Sequence, residues 1–290
     1  MSMVQAGGPA APPAPGGRPQ VATPQAPAGA PAGAGRLAGL DGLRALAILA
    51  VLVFHLDPTW LPGGFLGVDV FFVVSGFLIT TLLVRERVTS GRTDLPGFWA
   101  RRARRLVPAL LVCVPSAVLL ARLSEGDLLV GIERQVLGAT TFTSNWLEIH
   151  AGTDYFAATS PQLLMNLWSL AVEEQFYLLW PLLLIGLLRL PRAWQRGCLV
   201  AAVVVAALAP LRLVGGDTLH AYYGSDVHAM PLLLGALLAW LMHGHRAADS
   251  RPVVAAVALA GVLVLALASS TFRLYLAPQV VAGLTAVMIW

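Results

Sequence analysis

A chain that carries one apolar run after another, each close to the length that crosses a bilayer, has few folds open to it. Such runs lie at residues 40–57, 65–84, 106–121, 168–188, 197–214, 229–242, 253–269 and 274–290, and a helix needs roughly 20 residues to span a hydrocarbon slab about 30 Å thick. Lipid offers no partner to a backbone N–H or C=O, so each run must satisfy its own backbone as a helix. The pattern predicts an all-α, polytopic transmembrane helical bundle of about eight crossings. Composition agrees: 57% of residues are hydrophobic and 12% charged, where a soluble domain carries about a quarter charged.

Arginine then orients the runs. The chain has 19 cationic residues, every one Arg, against 15 acidic ones; in a membrane protein such an excess reports topology before any polyanionic partner, and nucleic acid is not expected as one. Arg85, Arg87, Arg92, Arg101, Arg102, Arg104 and Arg105 crowd one inter-run stretch, which predicts a cytoplasmic loop. Residues 147–166 and Gly215–His228 hold no basic residue beyond histidine and are expected outside. The protein is therefore expected in the cytoplasmic membrane with its N-terminus inside. Residues 1–35 are rich in Ala, Pro and Gly and are expected to be a disordered tail without a signal peptide. The domain proper runs over 36–290, and its last run, still apolar at Trp290, suggests an incomplete C-terminus. Segment 128–146 carries Glu133, Arg134, Gln135, Thr140, Thr141, Ser144 and Asn145, too polar for a lipid-facing crossing, and is expected to be re-entrant or buried. Cys113 and Cys198 show no metal-ligand spacing and no metal is expected.

Within the first run Arg44 and His55 stand eleven residues apart. At 3.6 residues per turn this brings both to one face, about 16 Å apart along the axis. An imidazole at that depth, expected to be buried, is a candidate functional group. In the run from Leu167, Glu173 shares a face with Ser169, Tyr177 and Trp180 while Glu174 points about 100° away. Such a stripe suits a hydroxylated, ring-shaped acceptor; an interfacial aromatic belt with a snorkelling carboxylate would look the same, and spacing does not choose between them. The cluster Arg101-Arg-Ala-Arg-Arg105 is either a topology anchor or a fork for phosphate groups, and Arg44 at the same predicted level favours the fork.

Four motifs, taken in order, carry a resemblance: Arg44 with His55, the run Gly67-Val-Asp-Val-Phe-Phe-Val-Val-Ser-Gly-Phe77, Arg102-x-x-Arg105 before Pro108, and Trp168-Ser-Leu-Ala-Val-Glu-Glu-Gln-Phe-Tyr177. The chain resembles the acyltransferase family 3 membrane proteins from about Arg36 onward. That resemblance implies an O-acyltransferase moving an acyl group, often acetyl, from acyl-CoA to a hydroxyl of a cell-surface glycan, a lipid or a glycosylated small molecule. It implies His55 and Glu173 as catalytic residues and Arg44, Arg102 and Arg105 as the donor side. Trp168, Ser169, Tyr177 and Asn145 are the expected acceptor contacts. Many members carry a His two residues before the Trp, where this chain has Asn166.

Acyl transfer from a thioester to an alcohol needs a base near neutral pH, the range in which an imidazole titrates. The donor's phosphates need cations at the aqueous end, and its pantetheine arm covers the offset from Arg44 to His55. The alternative class is a proton-coupled secondary transporter, with His, Glu and Arg as a relay. Transporters generally show internal repeats, and here the polar residues crowd into 41–177 without one.

Overall fold

The computed structural model describes residues 38–124, 126–152, 162–213, 216–243, 258–262 and 276–290. Every regular element among them is helical. In chain order these are α1 Ala38–Leu56, α2 Gly67–Ser90, α3 Leu95–Leu123, α4 Ile132–Thr141, α5 Ser144–Ala151, α6 Leu167–Leu187, α7 Arg192–Leu208, α8 Thr218–Tyr223, α9 Ala229–Met242 and α10 Ala277–Ile289. Short 3-10 turns at Gly64–Leu66, Gly126–Leu129 and Ala209–Leu213 join some of them. Five helical stretches of the described residues are long and apolar enough to cross a membrane: Gly39–Leu56, Gly64–Ser90, Leu95–Leu123, Leu167–Leu187 and Arg192–Leu213. The expected crossings at 229–242 and 274–290 are shorter apolar helices. The expected crossing at 253–269 falls outside the described residues apart from helical 258–262, and so does the expected tail at 1–35.

The centre of the bundle is the α2/α9 pair, and sequence explains why these two backbones meet. Gly76 of α2 faces the carbonyl of Leu232, and Gly235 of α9 faces the carbonyl of Val73; a methyl group at either glycine would overlap that oxygen. Small residues placed reciprocally let helices approach in lipid, where dispersion contacts replace the hydrophobic drive. Around them Phe72, Val73, Val74, Leu232 and Ala236 are buried. α3, α6 and α7 instead show large apolar side chains outward, among them Leu111, Val112, Leu119, Leu182, Leu183, Val204 and Val205, a surface suited to lipid.

Three expectations change. The arginine-rich stretch is not a loop. Arg85 and Arg87 belong to α2 and Arg101–Arg105 to α3, so only residues 91–94 are non-helical. Gly91, in the left-handed conformation at φ 70°, closes α2, and the Asp94 side chain caps α3 by accepting from Gly97 N at 3.0 Å. The stretch expected as the Gly215–His228 loop is likewise no plain loop: its described part, from 216, forms α8 and buries Ala221, Tyr222, Tyr223, Val227 and His228, since three consecutive apolar or aromatic residues, 221–223, find a core to enter. Finally, His55 is not buried. It sits in the last turn of α1, one residue before the helix ends, and is exposed. The end is set at Asp57, whose carboxylate accepts from Thr59 Oγ1 at 2.7 Å and from Thr59 N at 2.8 Å, bonds that hold its carboxyl below the usual range.

Segment 128–146 folds as a broken pair, α4 then α5, with Gln135, Ser144, Asn145 and Glu148 buried. Phe142 makes the break with φ 54°, the sole non-glycine residue at positive φ among those described. That conformation costs a β-carbon-bearing residue free energy unless neighbours hold it. Here the Gln175 side-chain amide donates to the Phe142 carbonyl at 2.8 Å.

Candidate functional site

Three groups of polar residues line the bundle, and α6 or its N-cap residue Asn166 carries a member of each. At its start, Asn166 meets the end of α1. The His55 ring lies with Nδ1 2.7 Å from the Val51 carbonyl, one turn back on its own helix, and with Nε2 3.1 Å from Asn166 Oδ1. A carbonyl only accepts, so Nδ1 carries a proton. The protonated ring donates to both oxygens. The neutral ring keeps Nδ1–H and takes a bond from the amide NH2 once that amide makes a half-turn. Either state of His55 is thus accommodated without losing a partner.

Two turns deeper, Glu173 and Glu174 diverge to different helices, as their 100° offset requires. The Glu173 carboxylate accepts from the hydroxyls of Ser75 on α2 and Tyr177 on its own helix. Glu174 faces α3, where it pairs with Arg102 at 2.8 Å. The Arg102 guanidinium carbon stands 3.2 Å from the centre of the Tyr177 ring, a cation-π contact that links the two carboxylates' networks. Trp99 Nε1 donates to the Tyr177 carbonyl at 3.1 Å and ties the same helices. Arg102 Nε is buried and has no hydrogen-bond partner, and the residue lines a cavity of about 480 Å³ together with Glu174, Gln175, Tyr177, Trp146 and Thr143.

The third group is a clamp. Gln175 donates to Asn145 Oδ1 at 3.0 Å and accepts from Ser225 Oγ at 2.6 Å, while Asn145 Nδ2 donates to the Tyr223 carbonyl at 3.0 Å. Nearby, His228 Nε2 lies 2.7 Å from the Tyr222 carbonyl and Nδ1 lies 3.1 Å from Asp69 Oδ1. Nε2 therefore carries a proton, and one further proton must sit between Nδ1 and the carboxylate.

The expected site residues are thus distributed. His55 and Glu173 do not bond to each other: Glu173 stands seven positions after Asn166, about 10 Å along the α6 axis. Arg102 faces the α3/α6 cavity, whereas Arg105 and Arg44 are exposed on their own helices. Tyr177 lines the cavity. Ser169 donates to the Asn166 carbonyl at 3.3 Å. Trp168 is buried against the rings of Phe72, Tyr222, Tyr223 and His228, and Asn145 is fully buried in the clamp; both hold the fold at the site's edge. Residue types alone did not single out Ser75, Gln175, Asp69 or His228. The available signal was polarity inside apolar helices, since Asp69 and Ser75 both stand in the run from Gly67 to Phe77. Among the described residues no cluster of three or more His, Cys, Asp or Glu side chains could hold a metal.

Comparison with known proteins places the architecture. The O-acetyltransferase OatA of Staphylococcus aureus (strain NCTC 8325 / PS 47) is 40% identical over 208 residues, covering 71% of this chain and 34% of that protein. A second S. aureus (strain COL) protein, provisionally named an O-acetyltransferase, is 38% identical over 220 residues, covering 74% of this chain and 36% of its own length. The chain thus spans about a third of the length of these relatives. No solved structure matches. The acyltransferase domain model matches residues 37–290, all of the apolar bundle, and the chain belongs to that family.

Proposed function

We propose that this chain is a multi-pass membrane O-acyltransferase that moves an acyl group, acetyl in the simplest case, from acyl-CoA to a hydroxyl of a glycan, a lipid or a glycosylated small molecule. The observation that carries the reading is His55 at the end of α1, exposed, with Nδ1 held by Val51 O and Nε2 facing the Asn166 amide. A ring whose Nδ1–H is fixed presents Nε2 as the base. The acceptor alcohol gives its proton to Nε2 as its oxygen bonds to the thioester carbonyl carbon. The carbon–sulfur bond then breaks, and the imidazolium returns the proton to the departing thiolate. Atoms and charge balance without a further reactant.

The donor side is assigned to Arg102, Arg105 and Arg44. Arg102 supports this best, since it lines a cavity and its buried Nε lacks a partner. From Asn166 to Glu174, its ion-pair partner, is about 12 Å along α6, an offset that the donor's pantetheine arm is suited to bridge. Glu173 orients Tyr177 and Ser75 along this path. The test is to incubate membranes holding the chain, or its His55→Ala form, with radiolabelled acetyl-CoA and follow label into glycan, lipid and small-molecule fractions. Transfer by the parent and none by His55→Ala, with equal membrane insertion, is expected; an active His55→Ala form overturns the assignment. Label trapped on the protein when acceptor is withheld would instead make His55 a transient acyl carrier.

A further inference from the structure

A second cationic site lies at the bundle end where α2, α6 and α9 finish and α7 begins. A cleft of about 450 Å³ there is lined by Arg87 of α2, Arg192 and Arg196 of α7, and His243 after α9, with Gln195 and Trp240 beside them. Among the described residues no carboxylate lines it. Among the described residues none of the four side chains Arg87, Arg192, Arg196 and His243 has an ion-pair or hydrogen-bond partner. The neighbouring carboxylate, Glu86, is turned away and accepts from Asp94 N at 3.1 Å. Gln195 does not offer its amide either: it donates to the Leu190 carbonyl at 2.7 Å and accepts from Trp240 Nε1 at 3.0 Å.

Arginines that only set topology stand apart in water or among headgroups. Here two helices bring three guanidiniums to one cleft whose remaining walls, Val84, Leu188 and Leu241, are apolar. Like charges converging without a counter-ion repel, and an anion that fits between them relieves that cost. Guanidinium forks match the oxygens of a phosphate, and the first turn of α7, 17 residues long, adds its unpaired N–H groups and dipole on the same side. The apolar walls favour a phosphate joined to a chain over the free ion. Basic clefts between membrane helices hold anionic lipid headgroups by this chemistry.

We propose that this cleft binds a phosphate ester, independently of the Arg102 site. Two sources share the chemistry: an anionic phospholipid of the adjacent leaflet, or the phosphates of a coenzyme A donor. The full chain is purified into nanodiscs of phosphatidylcholine, with or without phosphatidylglycerol, as the parent, as Arg192→Gln/Arg196→Gln and as Arg192→Lys/Arg196→Lys. Phosphatidylglycerol retention is read by native mass spectrometry, and coenzyme A binding by calorimetry in phosphatidylcholine alone. The Gln pair is expected to weaken one probe at least about tenfold, with the Lys pair in between, and the probe affected names the source. Arg87→Gln repeats the measurement should the Gln pair fail to insert. Unchanged binding of both probes by an inserted Gln pair or Arg87→Gln overturns the proposal. The Arg102→Gln form keeps the two sites distinct: it should lower coenzyme A binding and leave phosphatidylglycerol retention alone.

Discussion

At the scale of single residues, the polar groups of this bundle are defined by what each can donate or accept. Asp69 and His228 are both buried and share a proton across 3.1 Å. Replacing Asp69 by Asn keeps the link, because the amide donates to a neutral Nδ1 while Nε2–H stays on the Tyr222 carbonyl. Replacing it by Ala leaves a buried ring nitrogen unsatisfied, at about 1–3 kcal/mol. Thermal unfolding in detergent should therefore show Asp69→Asn near the parent and Asp69→Ala clearly lower; equal losses would mean that the charge, not the hydrogen bond, matters. Glu173→Gln is the matching change at the proposed site. It retains an acceptor for Ser75 and Tyr177 but removes the charge that roughly doubles such bonds, so turnover should fall while folded yield holds. Should Glu174→Gln be the more damaging of the two, the Glu173 assignment is wrong.

Helices and their junctions respond to different changes. Gly76 and Gly235 let α2 and α9 approach with no room for a methyl. Gly76→Ala or Gly235→Ala should cost about 1–3 kcal/mol through overpacking, read as a lowered unfolding temperature, whereas Gly186→Ala, where nothing stands within 4 Å, should be harmless. The α4–α5 break behaves as a spring held by one side chain. Phe142 sits at φ 54°, and Gln175 holds its carbonyl along with Asn145 and Ser225. Gln175→Leu removes these three bonds and the one that Trp146 Nε1 donates at 3.3 Å, and faster hydrogen exchange confined to residues around 138–148 is the expected signature. Unchanged exchange there would show that packing alone keeps the break.

On the scale of the molecule, the prediction is topological. The end bearing Arg85, Arg87 and Arg101–Arg105 is expected inside and the α8 end outside. With Cys113 and Cys198 replaced by Ser, a membrane-impermeant thiol reagent applied outside should label Thr218→Cys, which is exposed at the first position of α8, and spare Thr93→Cys between α2 and α3. Labelling in the reverse pattern would put the proposed donor cations on the wrong face. The exposed leucines and valines of α1, α3, α6 and α7 require a lipid surround whichever way the bundle faces.

Periodicity and composition by themselves determined that this chain is a helical membrane bundle, because lipid forces each apolar run to bond its own backbone. They also separated Glu173 from Glu174, since helical geometry sets the angle between adjacent residues, and marked 128–146 as unable to face lipid. Tertiary structure alone decided which helix each carboxylate meets: Ser75 for Glu173 and Arg102 for Glu174 lie 98 and 72 residues away, separations at which no local rule operates. It also decided that Asn166 is the partner of His55 across 111 residues, and that α8 folds inward from a stretch with every mark of a loop. Local patterns report which side chains a helix turns the same way. Which other helix stands opposite is fixed only when the whole bundle packs.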